Sequence, residues 1–400
     1  MTQAQLDKDR DGASTSETDY QADKDSYSLV YDYNMKDNLK FNLLSSYYNS
    51  VSESSTSTSI TNFDESKIAF KPKLNYEYSK GTLTAGYDYT FNNIVRDTKL
   101  GNGAFYDISK MTNSVFLNNR YDMNKLELIT GYRYEKSDYE MKDQKYGTKT
   151  PSDMDKTSSN SAYSMGLNYL YSDSGKLYGK FESGYTFPDP RQYINLTNGE
   201  GELNNLQDEE FMTYEIGFQD YIINSLVKGA VYYTEKENEI RKEGSSLNAK
   251  FYNIDASKRI GGELSISQNI KKLELSESIA YVDAKVTEGT YEGKRIPYVS
   301  KITSSINATY TFNEKVDLSG NITYRDKYYV DASNLSGLVN DKFVTDIKVN
   351  YSIDSNWKTY AGINNLFNAD YYNTINYSSG AYTYDPASER NYFIGFNYSF

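Results

Sequence analysis

Apolar and polar residues alternate one for one along most of this chain. A period of two dictates extended strands. In TLTAGYDYTF, Leu83, Ala85, Tyr87, Tyr89 and Phe91 share one face, and Thr84, Gly86, Asp88 and Thr90 share the other. In LELITGYRYE, Leu126, Leu128, Thr130, Tyr132 and Tyr134 oppose Glu127, Gly131, Arg133 and Glu135. VDLSGNITYR and KFVTDIKVNYSI repeat the pattern. The chain closes on RNYFIGFNYSF, with Tyr392, Ile394, Phe396, Tyr398 and Phe400 on one face. Such segments number about seventeen, and none reads as a helix.

Composition narrows what these strands build. The 43 tyrosines and 17 phenylalanines favour strands, yet only 38% of the residues are hydrophobic. That is little for one large dry core. There is no cysteine and no histidine. Disulfides and thiolate metal sites are therefore excluded, and the commonest general base, zinc ligand and haem ligand are missing. The formal net charge of −12 argues against nucleic acid as a partner. No apolar run of about 18 residues offers a transmembrane helix. MTQAQLDKDRDGASTSETD has no apolar region of the kind a signal peptide needs. No acid pair or Gly-rich phosphate loop stands out, so neither an enzyme nor a cofactor is expected.

The connections alternate in length. Short turns fall at residues 34–38, 79–81, 123–125, 172–175, 222–224, 270–272, 313–315 and 354–356. They recur about every 41–51 residues, a spacing typical of repeat architectures. Between them lie long polar stretches: SVSESSTSTSITNFDES, EMKDQKYGTKTPSDMDKTSSN, PDPRQYINLTNGEGELNNLQDE and NADYYNTINYSSGAYTYDPASER. A β-propeller with four short strands per blade fits that period but needs Trp-Asp or Gly-His marks, which are not found. A transmembrane β-barrel fits it with two long strands per period. In a bilayer the apolar face meets lipid, the polar face meets a wet lumen, and the closed ladder leaves no backbone group unpaired. The expected fold class is all-β, an antiparallel transmembrane β-barrel.

Strand direction adds a constraint. The first strand, SYSLVYDYN, runs into a short turn, and the last leaves a long loop. Both therefore point toward the short-turn end, which is periplasmic in bacterial outer-membrane barrels. An antiparallel barrel closes only on an even strand count, and seventeen is odd. The expectation is an N-terminally truncated barrel at residues 26–400 with a periplasmic C-terminus. Residues 1–25 would be the disordered remnant of an extracellular loop.

Three stretches resemble the TonB-dependent outer-membrane receptors, which import iron–siderophore complexes and other scarce nutrients. AGINNLFNADYYNTINY (361–377) resembles the family's penultimate strand. DPASERNYFIGFNYSF (385–400) resembles its closing Pro-x-x-x-Arg and terminal strand, with Glu389 where Gly is usual before Arg390. SGYTFPDPRQYINL and NNLQDEEFMTYEIGF (183–218) resemble its mid-barrel loop and following strand, with Thr-Phe-Pro where Arg-x-Pro is common. The resemblance implies barrels of about 22 strands around a plug, so about five strands and the plug would be absent here. It implies energy-coupled import of a metal chelate, most often a ferric siderophore. It further implies coupling to the TonB complex through the plug, and contact with outer-membrane lipid and barrel-assembly machinery. A passive porin-like channel and a barrel-anchored adhesin are the alternatives. A constricting loop folded into the lumen would favour the channel.

Candidate residues follow from these readings. In the PDPRQYINL loop, Arg191 and Tyr193 offer charge and an aromatic face to an anionic ferric chelate. Tyr328–Tyr329 and Tyr371–Tyr372 stand at strand tops, where a place in the interfacial aromatic girdle competes with ligand contact. Phe400 resembles the family's assembly signal. Lumen-facing Glu127, Arg133, Asp317, Arg325, Asp346 and Lys348 are expected to meet plug or water. DKDRDG at 7–12 copies the start of a Ca²⁺ loop, but Thr18 stands where the bidentate Glu belongs, so a solvated acidic loop is expected.

Overall fold

In the computed structural model, one antiparallel sheet of 17 strands takes up most of the chain. The structure describes residues 18–99, 103–146, 152–195, 202–243, 250–335, 337–378 and 381–399. The calcium-like 7–12 stretch and Phe400 lie outside the described residues. The first half of the sheet is β1 (Thr18–Lys36), β2 (Leu39–Thr56), β3 (Ile60–Tyr78), β4 (Gly81–Lys99), β5 (Ala104–Met123), β6 (Leu126–Tyr146), β7 (Ser152–Leu170) and β8 (Lys176–Thr186). A small hairpin of β9 (Ile194–Asn195) and β10 (Glu202–Leu203) interrupts it. The sheet resumes with β11 (Glu209–Ile222), β12 (Ser225–Glu243), β13 (Lys250–Ile270), β14 (Leu273–Glu288), β15 (Ile302–Asn313) and β16 (Val316–Arg325). A second small hairpin, β17 (Tyr328–Tyr329) and β18 (Leu338–Val339), precedes β19 (Lys342–Ser352) and β20 (Trp357–Asn364). A third, β21 (Tyr372–Ser378) and β22 (Ala381–Pro386), precedes the last strand, β23 (Asn391–Tyr398).

Each main-sheet strand pairs with its neighbour in chain order, from β1–β2 through β8–β11 and β16–β19 to β20–β23. Every short turn expected from the sequence is a turn here. β1 and β23 both run toward the turn end: β1 enters the turn to β2, and Ser399 N–H donates to Asn356 O, in the turn between β19 and β20, at 2.9 Å. Among the described residues β1 pairs only with β2 and β23 only with β20. β1 is exposed along its whole length, as an edge strand is.

The first strand starts higher than SYSLVYDYN, so residues 18–25 are strand, where the sequence suggested loop remnant. Two of the expected long loops are strand as well. β2 and β3 continue through the Ser/Thr-rich 50–66 stretch and turn over residues 57–59. β6 and β7 likewise climb through most of 140–160. The reason is that a polar stretch still satisfies its backbone in a ladder, and threonine favours strand. Polarity marked the end of the membrane there, not the end of the sheet.

The wall is consequently uneven. β2 to β7 run 18 to 21 residues, whereas β15, β16, β19, β20 and β23 run 8 to 12. A tilted strand of about 20 residues rises some 50 Å, against a lipid-facing band of about 25 Å.

The face pattern of β6 records where the band stops. Near the turn, Leu126, Tyr132 and Tyr134 are exposed on the outer face, and Glu127, Arg133 and Glu135 line the inner one. Above Glu135 the pattern inverts. Lys136, Asp138, Glu140 and Lys142 now face out, while Ser137, Tyr139 and Met141 are buried inside. That the charged face is the concave one follows from a cavity of about 960 Å³. It is lined together by Asp32 and Asn42 of β1–β2, Arg133 and Glu135 of β6, and Glu182 and Phe211 of β8–β11.

Candidate functional site

The lower inner wall is a ladder of compensated charges. Arg133 bonds Asp88 at 2.9 Å and Glu135 at 2.9 Å, with its guanidinium over the Phe116 ring. Arg120 pairs with Glu127 at 2.6 Å, and Asn350 donates to Asp317 at 2.6 Å. Asp346 accepts from the Asn365 backbone at 2.8 Å, and Lys348 sits 4.5 Å from the Tyr360 ring centroid. These residues meet one another, as well as whatever fills the lumen.

Above them, the described parts of the connection from β8 to β11, residues 187–195 and 202–208, fold inward. Phe187, Tyr193 and Leu206 pack with Ile94 of β4, Tyr106 and Ile108 of β5, and Tyr139 and Met141 of β6 in one buried cluster. Tyr139 donates its hydroxyl to Pro188 O at 3.0 Å. Lys110 lies 5.0 Å from the Tyr139 centroid and Lys156 4.7 Å from that of Tyr193. Lys156 also donates to Leu206 O. Two strands along the wall from β11, the connection reaches β13, where Gln207 and Asn253 exchange hydrogen bonds of 2.9 and 3.1 Å. Burial raises the pKa of Asp208 against the opposing pull of Ser158 and Lys156. Burial, and then the charge of Asp208, raises that of Tyr193.

A second cluster crowns the short side of the wall. Tyr328, Val330, Val339 and Ile375 are buried together, with Tyr372, Tyr382 and Tyr384 packed against them. Arg325 lies 4.7 Å from the Tyr328 centroid, Lys342 5.0 Å from that of Tyr371, and Arg295 5.7 Å from that of Tyr329. Tyr328 and Tyr372 therefore belong to this loop cluster, while Tyr329 and Tyr371 lie against the cations beside it.

Of the four loop residues singled out from the sequence, Tyr193 belongs to the first cluster and Tyr328 to the second. Arg191 sits in the short 3₁₀ turn Pro190–Tyr193. Tyr193 is 0% exposed, so its ring anchors the loop from beneath. Tyr328 is buried and Tyr329 half-buried under Arg295. Sequence reasoning missed Lys110, Lys156 and Lys342, strand lysines that each meet a ring from a loop: Phe187, Tyr193 and Tyr371. It also missed Asn365. That residue is 2% exposed, donates to Ala369 O at 2.9 Å and to Ser388 O at 3.3 Å, and accepts from Ala369 N at 2.7 Å. Asn368 accepts from Arg390 N at 2.8 Å. The two C-terminal motifs are thus the halves of one clasp that closes the 369–388 loop. The signal was present in Asn-Asn-Leu-Phe-Asn, but its partners lie some twenty residues away, across a loop.

The comparisons agree with this architecture. The chain is 21% identical over 249 residues to the catecholate siderophore receptor Fiu of Escherichia coli K12, covering 59% of this chain and 32% of that protein. It thus spans about a third of the curated relatives it matches. The siderophore receptor PiuA of Acinetobacter baumannii superposes with a TM-score of 0.79 at 16% identity, over 95% of this chain and 64% of that one. The ferric yersiniabactin uptake receptor FyuA of Yersinia pestis gives 0.80 at 13%, over 97% and 63%. The ferric citrate transporter FecA gives 0.80 at 16%, over 99% and 64%. The model of the family "TonB dependent receptor-like, beta-barrel" matches residues 2–366, and this chain, a single sheet whose polar inner wall is capped by aromatic loop clusters, belongs to that family.

Proposed function

We propose that this chain is the barrel part of a bacterial outer-membrane receptor that imports a metal chelate, a ferric siderophore above all, by energy-coupled transport. The observation that carries the reading is the placing of cations on aromatic rings at the loop end of the inner wall. Lys110 and Lys156 do so on the tall side, Arg295, Arg325 and Lys342 on the short side. A ferric catecholate or carboxylate complex is anionic at its rim and flat or aromatic at its faces. Guanidinium and ammonium groups answer the first feature and tyrosine rings the second. Arg191, Tyr193, Tyr328 and Tyr329 serve this site, Tyr193 and Tyr328 from beneath as loop anchors.

The turn end, with the C-terminus, faces the periplasm, where the intact receptor meets the TonB complex through its plug. The outward face of the band meets lipid, and Phe400 is the residue read by the assembly machinery. The test is uptake of radioiron by iron-starved cells lacking their other receptors. Expression of the intact receptor restores uptake of a ferric catecholate, and collapse of the proton-motive force abolishes it. Uptake that survives the collapse supports the second reading, a passive channel. One observation favours that reading: Phe187, Tyr193 and Leu206 of the β8–β11 connection pack against the inner face of the wall, as a constricting loop would. Ohmic conductance of the purified protein in planar bilayers would establish it.

A further inference from the structure

We propose that Arg325 and Lys342 form an anion-binding subsite for the negatively charged rim of the chelate, an assignment that rests on the import reading above. The two residues are direct partners in the β16–β19 register, both on the inner face, at the loop end of the wall. Like charges placed directly opposite in a sheet repel, so the pair needs a reason to be there.

Several other inner-wall cations have theirs: Arg133 has Asp88 and Glu135, Arg259 has Glu239, Lys236 has Glu209, and Lys301 has Asp283. Lys110, Lys156 and Lys348 rest on rings, but none of the three is the register partner of a second cation. Among the described residues, no carboxylate pairs with Arg325 or Lys342. The neighbouring acids, Asp326 and Asp341, have the opposite parity and lie near Tyr324 of the outer face. Arg325 Nε is removed from water and bonds nothing in the protein. The guanidinium thus keeps hydrogen-bonding capacity that the protein does not use.

The surroundings fix what kind of anion fits. Tyr328 backs the guanidinium at 4.7 Å and Tyr371 the ammonium at 5.0 Å, so both cations are held from behind. Tyr328 is itself immobilised in the buried cluster with Val330, Val339 and Ile375. A guanidinium presents a planar fork and an ammonium a point charge. Together they suit two neighbouring oxygens of a catecholate or carboxylate ligand. A carboxylate from a protein segment filling the lumen is the competing occupant.

The test compares two ferric complexes on outer-membrane preparations of the intact receptor. One is a strongly anionic tris-catecholate and the other a charge-neutral tris-hydroxamate. The Arg325→Gln/Lys342→Gln variant is expected to lose roughly tenfold or more in affinity for the anionic complex, with Arg325→Lys recovering most of it. Affinity for the neutral complex stays where it was. Unchanged affinity for the anionic complex overturns the subsite. If thermal stability falls at the same time, the lumen-segment carboxylate is the occupant. Equal losses for both complexes also overturn it, because they report a structural role. If the unaltered receptor binds neither complex, it is the import reading that fails, and the subsite falls with it.

Discussion

Single residues carry unusual weight where the backbone leaves the regular ladder. Asn365 and Asn368 adopt φ of 51° and 53°, in the left-handed region that asparagine tolerates better than other side chains. Asn365 then spends its amide on both ends of the 369–388 loop. Asn365→Ala is expected to cost about 2 kcal/mol, seen as a lower urea midpoint of the detergent-solubilised protein. Ile223 shows the opposite economy. It holds φ of 50° beside Asn224 at 64° in the two-residue turn between β11 and β12, a geometry that suits Asn-Gly and strains a β-branched residue. Its side chain is 92% exposed, so Ile223→Asn gives up little and should raise stability by about 1 kcal/mol in the same unfolding assay.

Asp208 makes its loop sensitive to pH. Its folded pKa is raised by burial, with Lys156, Glu210 and Lys110 as the charges that face it. A raised carboxyl pKa favours the docked loop fully below the ordinary Asp pKa, and the advantage fades as pH rises through the shifted value. Proteolytic nicking of the 187–208 loop should therefore quicken from pH 4 to pH 7, and Asp208→Asn should flatten that dependence.

At the level of elements, the informative event is the inversion of faces within one strand. β6 is apolar outside up to Tyr134 and apolar inside from Tyr139 to Met141. No bulge interrupts its pairing with β5 or β7 between those points. The same strand thus serves two solvents, lipid below and the loop core above. Met141→Asp should release the inward loop at a cost of about 2–4 kcal/mol, whereas Lys142→Ala, one residue on and facing water, should leave it docked. Limited proteolysis at 187–208 separates the two outcomes. Glycines shape the sheet at the same scale. A Cβ on Gly86 would stand 2.3 Å from the Phe116 ring, and one on Gly395 2.4 Å from that of Tyr360. Each glycine is the seat of an aromatic side chain from the neighbouring strand.

For the whole molecule, the uneven wall is the property with the clearest consequence. The β2–β7 side stands well above the lipid band, and the loop cluster is built against its inner surface. With no native cysteine, the height is directly measurable. Lys136→Cys, on the outer face above the band, should react in intact cells with a membrane-impermeant maleimide. Leu128→Cys, on the same face within the band, should stay unlabelled. Labelling of neither would place the tall wall in the periplasm and reverse the orientation. The direction of the two outermost described strands also acts at this scale. β1 and β23 run the same way, so two copies in one membrane orientation would meet only in parallel.

By itself the sequence determined the strand class, the short turns and the direction of both edge strands. All of these follow from local rules: a side-chain period of two, turn residues, and the parity of hairpins. It also marked Arg325 as inward-facing, since parity alone assigns a face. Only the tertiary structure decided how high the strands climb, because a ladder is indifferent to whether its side chains are polar. It decided too that Tyr193 and Tyr328 are buried anchors, that Lys110 and Lys342 lie on rings from other segments, and that Asn365 reaches a loop's far end. Those contacts join residues far apart in the chain, and no local periodicity encodes which of them will meet.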